Sequence, residues 1–399
     1  MSAKHAAVAA ELSWPQVHAF RLQRHGLAAR APKRQLTKVV GAIGGAQAQV
    51  MSAAEMQIAV RVACTTADVR AALWHERTLA KTWLMRGTLH LVAAADLPLY
   101  AAAMGTFRPT ASWLKYFHMT ERDLAEFVDT IGRTLSDTPM TKEEIAAVAA
   151  RGRSKRVAEH LRSGWGSLFK PVARSGLLCF GPNRGTNVTF VRPAAWLRSW
   201  REIDPEEARV EVARRYLSTY GPATKADFRR WLAPGWPSGP AAAWAGLESE
   251  IVPVSVEGAR CEMLARDVAA AMKTKPAPSV QLLPLFDQYL MGYVSRDHLF
   301  DRIHRWKVSR VAGWISAVVL VGGRVEGTWT HTSSNGTLRL VVAPFARLSP
   351  RVRSDVAERA RTLARSMGLE AAEVTVLDAA GGGAKAQRSA RRSRPLPPG

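Results

Sequence analysis

The stretches Thr66-Ala67-Asp68-Val69-Arg70-Ala71-Ala72-Leu73, Thr78-Leu79-Ala80-Lys81-Thr82-Trp83-Leu84-Met85 and Arg86-Gly87-Thr88-Leu89-His90-Leu91-Val92 decide the fold. The first opens with a threonine cap and reads as a helix. The second spaces Leu79, Trp83 and Leu84 at helical intervals and reads as another. The third alternates after a glycine turn and reads as a strand. With the helix expected over residues 52–62, this gives short helices followed by a strand, the outline of a winged helix-turn-helix.

The outline recurs along the chain. Ser13-Trp14-Pro15-Gln16 is a helix start, serine capping and proline in the first turn, and Gly26 marks that helix's end. Residues 33–38 form a basic connector. Thr141-Lys142-Glu143-Glu144 has the form of a capping box. Helices are expected over 155–161 and 165–175, then wing strands at 176–182 and 188–191. A third copy places helices over 208–217 and 224–232 and a wing over 251–264. From about residue 280 the texture becomes β-rich, with Gly322-Gly323 and Asn335-Gly336 at hairpin positions. A helix lies within 344–367, and Val374-Thr375-Val376 is a last strand. The expected fold is α+β: three tandem winged helix-turn-helix domains (11–135, 136–205, 206–278) and a C-terminal β-barrel-like module (279–378). The Gly-, Pro- and Arg-rich tail 379–399, with five basic residues, is expected to be disordered.

Composition narrows the function. A net charge of +23, from 56 Lys and Arg against 33 Asp and Glu, favours a polyanionic partner. Apolar runs such as 314–322 fall far short of the roughly 20 residues that span a bilayer, so no membrane role is expected. Cys64, Cys179 and Cys261 lie far apart and form neither a disulfide framework nor a metal pair. They read as small buried hydrophobes in a reducing, cytoplasmic protein. Walker A and HExxH motifs are absent.

Gln47-Ala48-Gln49 follows Gly44-Gly45. In that setting the tripeptide resembles the QxQ motif of the AlkZ-like winged-helix DNA glycosylases. The resemblance extends over nearly the whole chain. It is carried by Thr82-Trp83-Leu84-Met85-Arg86-Gly87-Thr88-Leu89-His90-Leu91, by Leu282-Leu283-Pro284-Leu285-Phe286-Asp287-Gln288-Tyr289-Leu290-Met291-Gly292-Tyr293, and by Gly323-Arg324-Val325-Glu326-Gly327-Thr328-Trp329. The Arg-Gly-Thr-Leu-His and Pro-Leu-Phe-Asp stretches are more specific than QxQ itself. Gln49 at the third position matches the QxQ branch rather than the QxD of the YcaQ-type branch.

The resemblance implies excision of bulky N-alkylated purines from double-stranded DNA, interstrand crosslinks included, in repair or genotoxin self-resistance. It implies a monomer, a monofunctional glycosylase, and neither metal nor cofactor. Gln47 and Gln49 are the expected catalytic pair. An N7-alkylpurine is already a cationic leaving group, so the site needs an oriented water more than a strong acid, and an amide both donates and accepts. Arg86, His90, Arg302, Arg305, Lys307, Arg310 and Arg324 are the expected DNA contacts; four of them cluster around Trp306. Asp287 and Tyr289 are candidate cleft residues. The plainer readings stay open: loop glutamines, a structural histidine in a strand, an aspartate capping a turn. So do two other functions, a non-catalytic DNA-binding protein and a self-resistance protein that sequesters the genotoxin.

Overall fold

The computed structural model describes residues 8–379 apart from 106, 152–154, 156–157, 160, 162–165, 234 and 236–237. The leader 1–7, the tail from 380 and residues 156, 157 and 160 of the helix expected over 155–161 lie outside the described residues.

Three small three-stranded sheets recur, each with helices against it, giving a mixed α+β protein. In the first, Ala46–Gln47 and Leu79–Trp83 flank the strand Leu89–Ala93. The second joins Met140–Thr141, Asn187–Val191 and Cys179–Arg184. The third pairs Ile251–Val256 with Ala259–Leu264, and its other edge is Glu11–Leu12, running parallel. The start of the chain therefore belongs with the third unit rather than the first. Leu12, Val17 and Phe20 share a core with Val254, Val256 and Met263.

Local signals explain most of the helices. Ser13 and Gln16 form a capping box at the helix Trp14–Arg24. Thr141 and Glu144 exchange the same two bonds at Lys142–Arg151. Thr224 and Asp227 repeat the arrangement at Lys225–Leu232. The helix Thr66–Trp74 is capped by Thr65, one residue before the expected cap.

Residues 79–83 are a strand, not a helix. Leu79, Ala80, Thr82 and Trp83 are all buried, because both faces of the strand are covered, by the core of the first unit and by the second unit. A strand buried on both faces loses the alternation by which strands are read. The Thr82 hydroxyl donates to the Leu178 carbonyl (3.0 Å), and Trp83 packs on Phe180. The expected connector at 33–38 is a 3-10 turn, Lys33–Gln35, leading into the helix Leu36–Ala42.

The C-terminal module is an open sheet rather than a barrel. Its order is Val280–Leu283, Val318–Val321, Arg324–Ser334, Thr337–Pro344, Ala371–Val376, and among the described residues the two edge strands do not pair with each other. The helix Pro350–Ser366 buries Val356, Ala360 and Leu363 against one face. Met56, from the helix Met51–Ala59 that follows the QxQ segment, enters the same core. The three cysteines are free and buried. Among the described residues no helix is long and apolar enough to cross a membrane.

Candidate active site

The QxQ segment is shaped by the two glycines before it. The helix Leu36–Ala42 ends, and Gly44 (φ +72°) and Gly45 (φ +91°) turn the chain back. A Cβ on Gly44 would lie 2.7 Å from the Trp231 ring, and one on Gly45 would lie 2.7 Å from Val92 and 2.8 Å from the Leu91 carbonyl. Only glycine meets both demands, a left-handed backbone and close approach to the Trp231 ring at Gly44 and to the neighbouring strand at Gly45. Ala46 and Gln47 then pair with Leu91 and His90, and Ala48 N–H donates to the Leu89 carbonyl at 2.7 Å. Ala46 and Ala48 enter the core. Strand alternation sends Gln47 to the other side.

Gln47 and Gln49 occupy different surroundings. Gln47 is 3% exposed; Gln49, in the bend that follows, is exposed. The Gln47 amide oxygen accepts from Arg86 Nη2 at 3.2 Å. The same Nη2 lies 3.1 Å from His90 Nε2, and Arg86 Nη1 donates to the Trp231 carbonyl at 2.7 Å. Arg86 adopts φ +58°, left-handed backbone that is costly for a residue with a Cβ. Its pKa is lowered to about 10 by burial, with smaller contributions from Arg230 and Arg296. His90 is buried; its Nδ1 faces the Thr88 carbonyl at 3.0 Å. Burial first, then the Arg86 charge, lowers its pKa to about 3, so the ring is neutral. Arg86 and His90 thus meet Gln47 directly.

A second network holds the segment from behind. Gln57 Nε2 donates to the Gln47 carbonyl and to the Leu285 carbonyl, both at 3.1 Å. Arg61 Nη1 donates to the Gln57 carbonyl at 2.8 Å, and the Arg61 guanidinium grips both Asp287 oxygens at 2.7 and 2.6 Å. Asp287 also accepts from the N–H of Tyr289 (3.0 Å), whose hydroxyl donates to the Gly323 carbonyl (3.0 Å). Asp287 and Tyr289 have no exposed surface, so they sit inside the joint between modules rather than on the wall of an open cleft.

The remaining basic candidates lie on one surface segment. Arg302, Arg305 and Arg310 are exposed and Lys307 is half-buried. Beside them Trp306 is 63% exposed and Val311 92% exposed. Lys307 lies over both the Trp306 and Phe345 rings, 5.5 Å from each centroid. Arg302 meets Asp297 only at 3.8 Å, whereas Arg324 is paired with Asp301 at 2.8 Å. The segment connects to the QxQ segment through Trp314, Phe286, Leu285 and Gln57.

Sequence reasoning missed Gln57, Arg61, Trp231 and Arg296. Gln57 had a signal, being a polar residue in a helix whose residues 53–59 are otherwise small or apolar apart from Glu55. Arg296 donates to the Leu290 carbonyl (2.6 Å) and the Ser309 hydroxyl (3.3 Å) and has no acidic partner among the described residues. Burial, with the charges of Arg230 and Arg305, lowers its pKa to about 10. The charge of Arg296 lowers the Arg86 pKa and that of Arg305 the Arg296 pKa, so each of these three cations lies within electrostatic reach of the next. Among the described residues no group of acidic, histidine or cysteine side chains could hold a metal ion.

Comparison with known proteins identifies the family. Residues 40–366 match the family described as DNA glycosylase AlkZ-like. The chain is similar to the interstrand DNA cross-link repair glycosylase of Streptomyces sahachiroi, 37% identical over 376 residues, covering 92% of this chain and 99% of that protein. It also resembles the solved structure of the DNA glycosylase AlkZ of Streptomyces sahachiroi, with a TM-score of 0.84 and 35% identity over 92% of this chain and all of that one. The QxQ turn, the Arg86–His90 pair and the Pro-Leu-Phe-Asp joint lie inside the matched region, and the chain belongs to the AlkZ-like DNA glycosylases, hydrolases of N-glycosyl bonds.

Proposed function

We propose that this enzyme hydrolyses the N-glycosidic bond of bulky N-alkylated purines in double-stranded DNA, with Gln47 and Gln49 as the catalytic pair. The observation that carries the reading is the contrast within the motif: Gln47 is anchored on Arg86, and Gln49 is exposed two residues on. Among the described residues no carboxylate hydrogen-bonds to Gln47, Arg86 or His90, so general-acid help is not built in. A leaving group that already carries positive charge suits such a site, because the oxocarbenium-like transition state then needs an oriented water rather than a proton donor. The name of the Streptomyces relative extends the proposal to interstrand crosslinks. A crosslinked base cannot swing freely into a pocket, which suits a pair of glutamines beside an exposed bend better than an enclosed cavity.

In this reading the three small α+β units are winged helices that present the site to the duplex, and the enzyme acts as a cytoplasmic monomer that leaves an abasic site. Arg302, Arg305, Lys307 and Arg310 neutralise phosphates, with Trp306 and Val311 against the groove. Arg324, already held by Asp301, contributes less.

The test is excision from a duplex carrying a site-specific N7-alkylguanine, with alkali cleavage of the abasic product. Wild type should cleave and the Gln47→Ala, Gln49→Ala double variant should bind but not cleave. Equal cleavage by both would remove the site assignment; no cleavage of alkylguanine or bulkier adducts would remove the substrate assignment.

A further inference from the structure

Among the described residues Arg86 has only neutral partners. Its guanidinium meets the Trp231 carbonyl, the Gln47 amide and the His90 ring, and its Nε has no partner. A guanidinium donates and never accepts, so each partner must offer it a lone pair. For His90 this fixes the tautomer: Nδ1 carries the proton and donates to the Thr88 carbonyl, and Nε2 accepts from Arg86. For Gln47 it fixes the amide: the oxygen faces Arg86 and the NH2 faces away. That nitrogen has no protein acceptor among the described residues and is not one of the sealed, unpartnered atoms, so it is the part of the amide left to the outside.

We infer that Arg86 and His90 are positioning residues, which hold the Gln47 side chain so that its NH2, and not its carbonyl, is presented to the substrate. The inference rests on the catalytic reading of the glutamines given above. It divides their labour. Gln47 can hold a water, a sugar oxygen or a phosphate through a donated hydrogen bond, but it does not accept the proton of the attacking water. A hydrogen-bond acceptor to orient that water is then required elsewhere, and the amide oxygen of exposed Gln49 is available for it, the proton itself passing to bulk solvent as the C–O bond forms. His90 serves by remaining neutral; a protonated ring would give Arg86 a second cation in place of an acceptor. The left-handed backbone at Arg86, next to Gly87 (φ +66°), is the local feature that accompanies this arrangement.

Three variants test it under single-turnover conditions at saturating enzyme, on the N7-alkylguanine duplex, with binding measured separately. Gln47→Glu keeps the shape and the acceptor facing Arg86 but removes the NH2. Tm should be held or raised, and excision should fall by about 100-fold, the usual cost of losing one oriented donor. Retained or faster excision would mean that Gln47 acts as an acceptor and would overturn the inference; a Tm lowered by several degrees would mean that no cation faces residue 47, with the same result. Arg86→Gln and His90→Phe should slow excision by at least about tenfold, with Kd and its salt dependence unchanged. A weaker Kd with a salt slope reduced by about one for Arg86→Gln would make Arg86 a phosphate contact instead. If wild type excises nothing while Gln47→Glu still holds its Tm, the glycosylase substrate is wrong and the orientation of the amide stands.

Discussion

Two arginines in the N-terminal half of the chain are treated in opposite ways. Arg61 is fully buried and its charge is compensated: it is bidentate to Asp287, with two further donors on the carbonyls of His25 and Gln57. Arg86 is partly buried and meets a carbonyl, an amide and an imidazole, with no acid among the described residues. Each has a neutral histidine beside it, but among the described residues the His25 ring nitrogens have no hydrogen-bond partner, whereas both of His90 do. The difference separates a joint from a site. At the joint charge is matched, and the pair ties the first unit to the C-terminal module. At the candidate site charge is left in excess, the backbone is left-handed, and the guanidinium is aimed at Gln47, one of the two glutamines of the motif.

The comparison can be broken from the joint outward. Asp287→Asn would leave Arg61 buried without its counter-charge, and unfolding free energy should fall by about 3–5 kcal/mol in urea denaturation. A loss below 1 kcal/mol would mean that the joint does not hold the modules together.

Acid should expose the two histidines. His90 has a folded pKa of about 3 and His25 one well below its ordinary value of 6.5, in both cases chiefly through burial. Above pH 6.5 both are neutral folded or unfolded. As pH falls below 6.5 the unfolded chain takes up protons that the folded chain refuses, so stability declines, by about 1.4 kcal/mol per pH unit for each histidine. Urea midpoints measured from pH 7.5 to 5 should drop accordingly; a flat profile would mean that the rings are protonated in place.

The smallest effect belongs to the surface segment. Single substitutions of Arg302, Arg305 or Arg310 by alanine should leave unfolding midpoints within about 0.5 kcal/mol of wild type. Each should lower the slope of log K against log salt for DNA binding by about 0.9. An unchanged slope in all three would place the duplex on another face.

How far this was readable from the residues depends on how local each determinant is. At Thr224 the helix was expected but not its box with Asp227; the serine cap at Ser13 and the capping box at Thr141 lie within four residues and were legible. So were the hairpins at Gly322-Gly323 and at Asn335-Gly336, where φ is +49° and +71°. The strand Leu79–Trp83 was misread because packing on both faces removed its period. The barrel expectation failed because sheet closure depends on which edges meet, and here the helix Pro350–Ser366 covers one face of an open sheet. The helix Glu121–Thr134 carried a readable Thr120–Asp123 capping box and went unread. At the site the two glutamines were legible only as a motif. That Arg86 and His90 turn toward Gln47 follows from the pairing of Gln47 with His90 across the sheet. The link from Arg61 to Asp287 spans 226 positions and has no local trace.

The most direct measurement sets Arg86→Gln beside Asp287→Asn in single-turnover excision from the N7-alkylguanine duplex, expressed per folded molecule at a temperature where both variants remain folded. Arg86→Gln should lose at least about tenfold in rate while Asp287→Asn stays within about threefold of wild type, one arginine serving the chemistry and the other the fold. A wild-type rate for Arg86→Gln, or equal losses in both, would contradict the distinction.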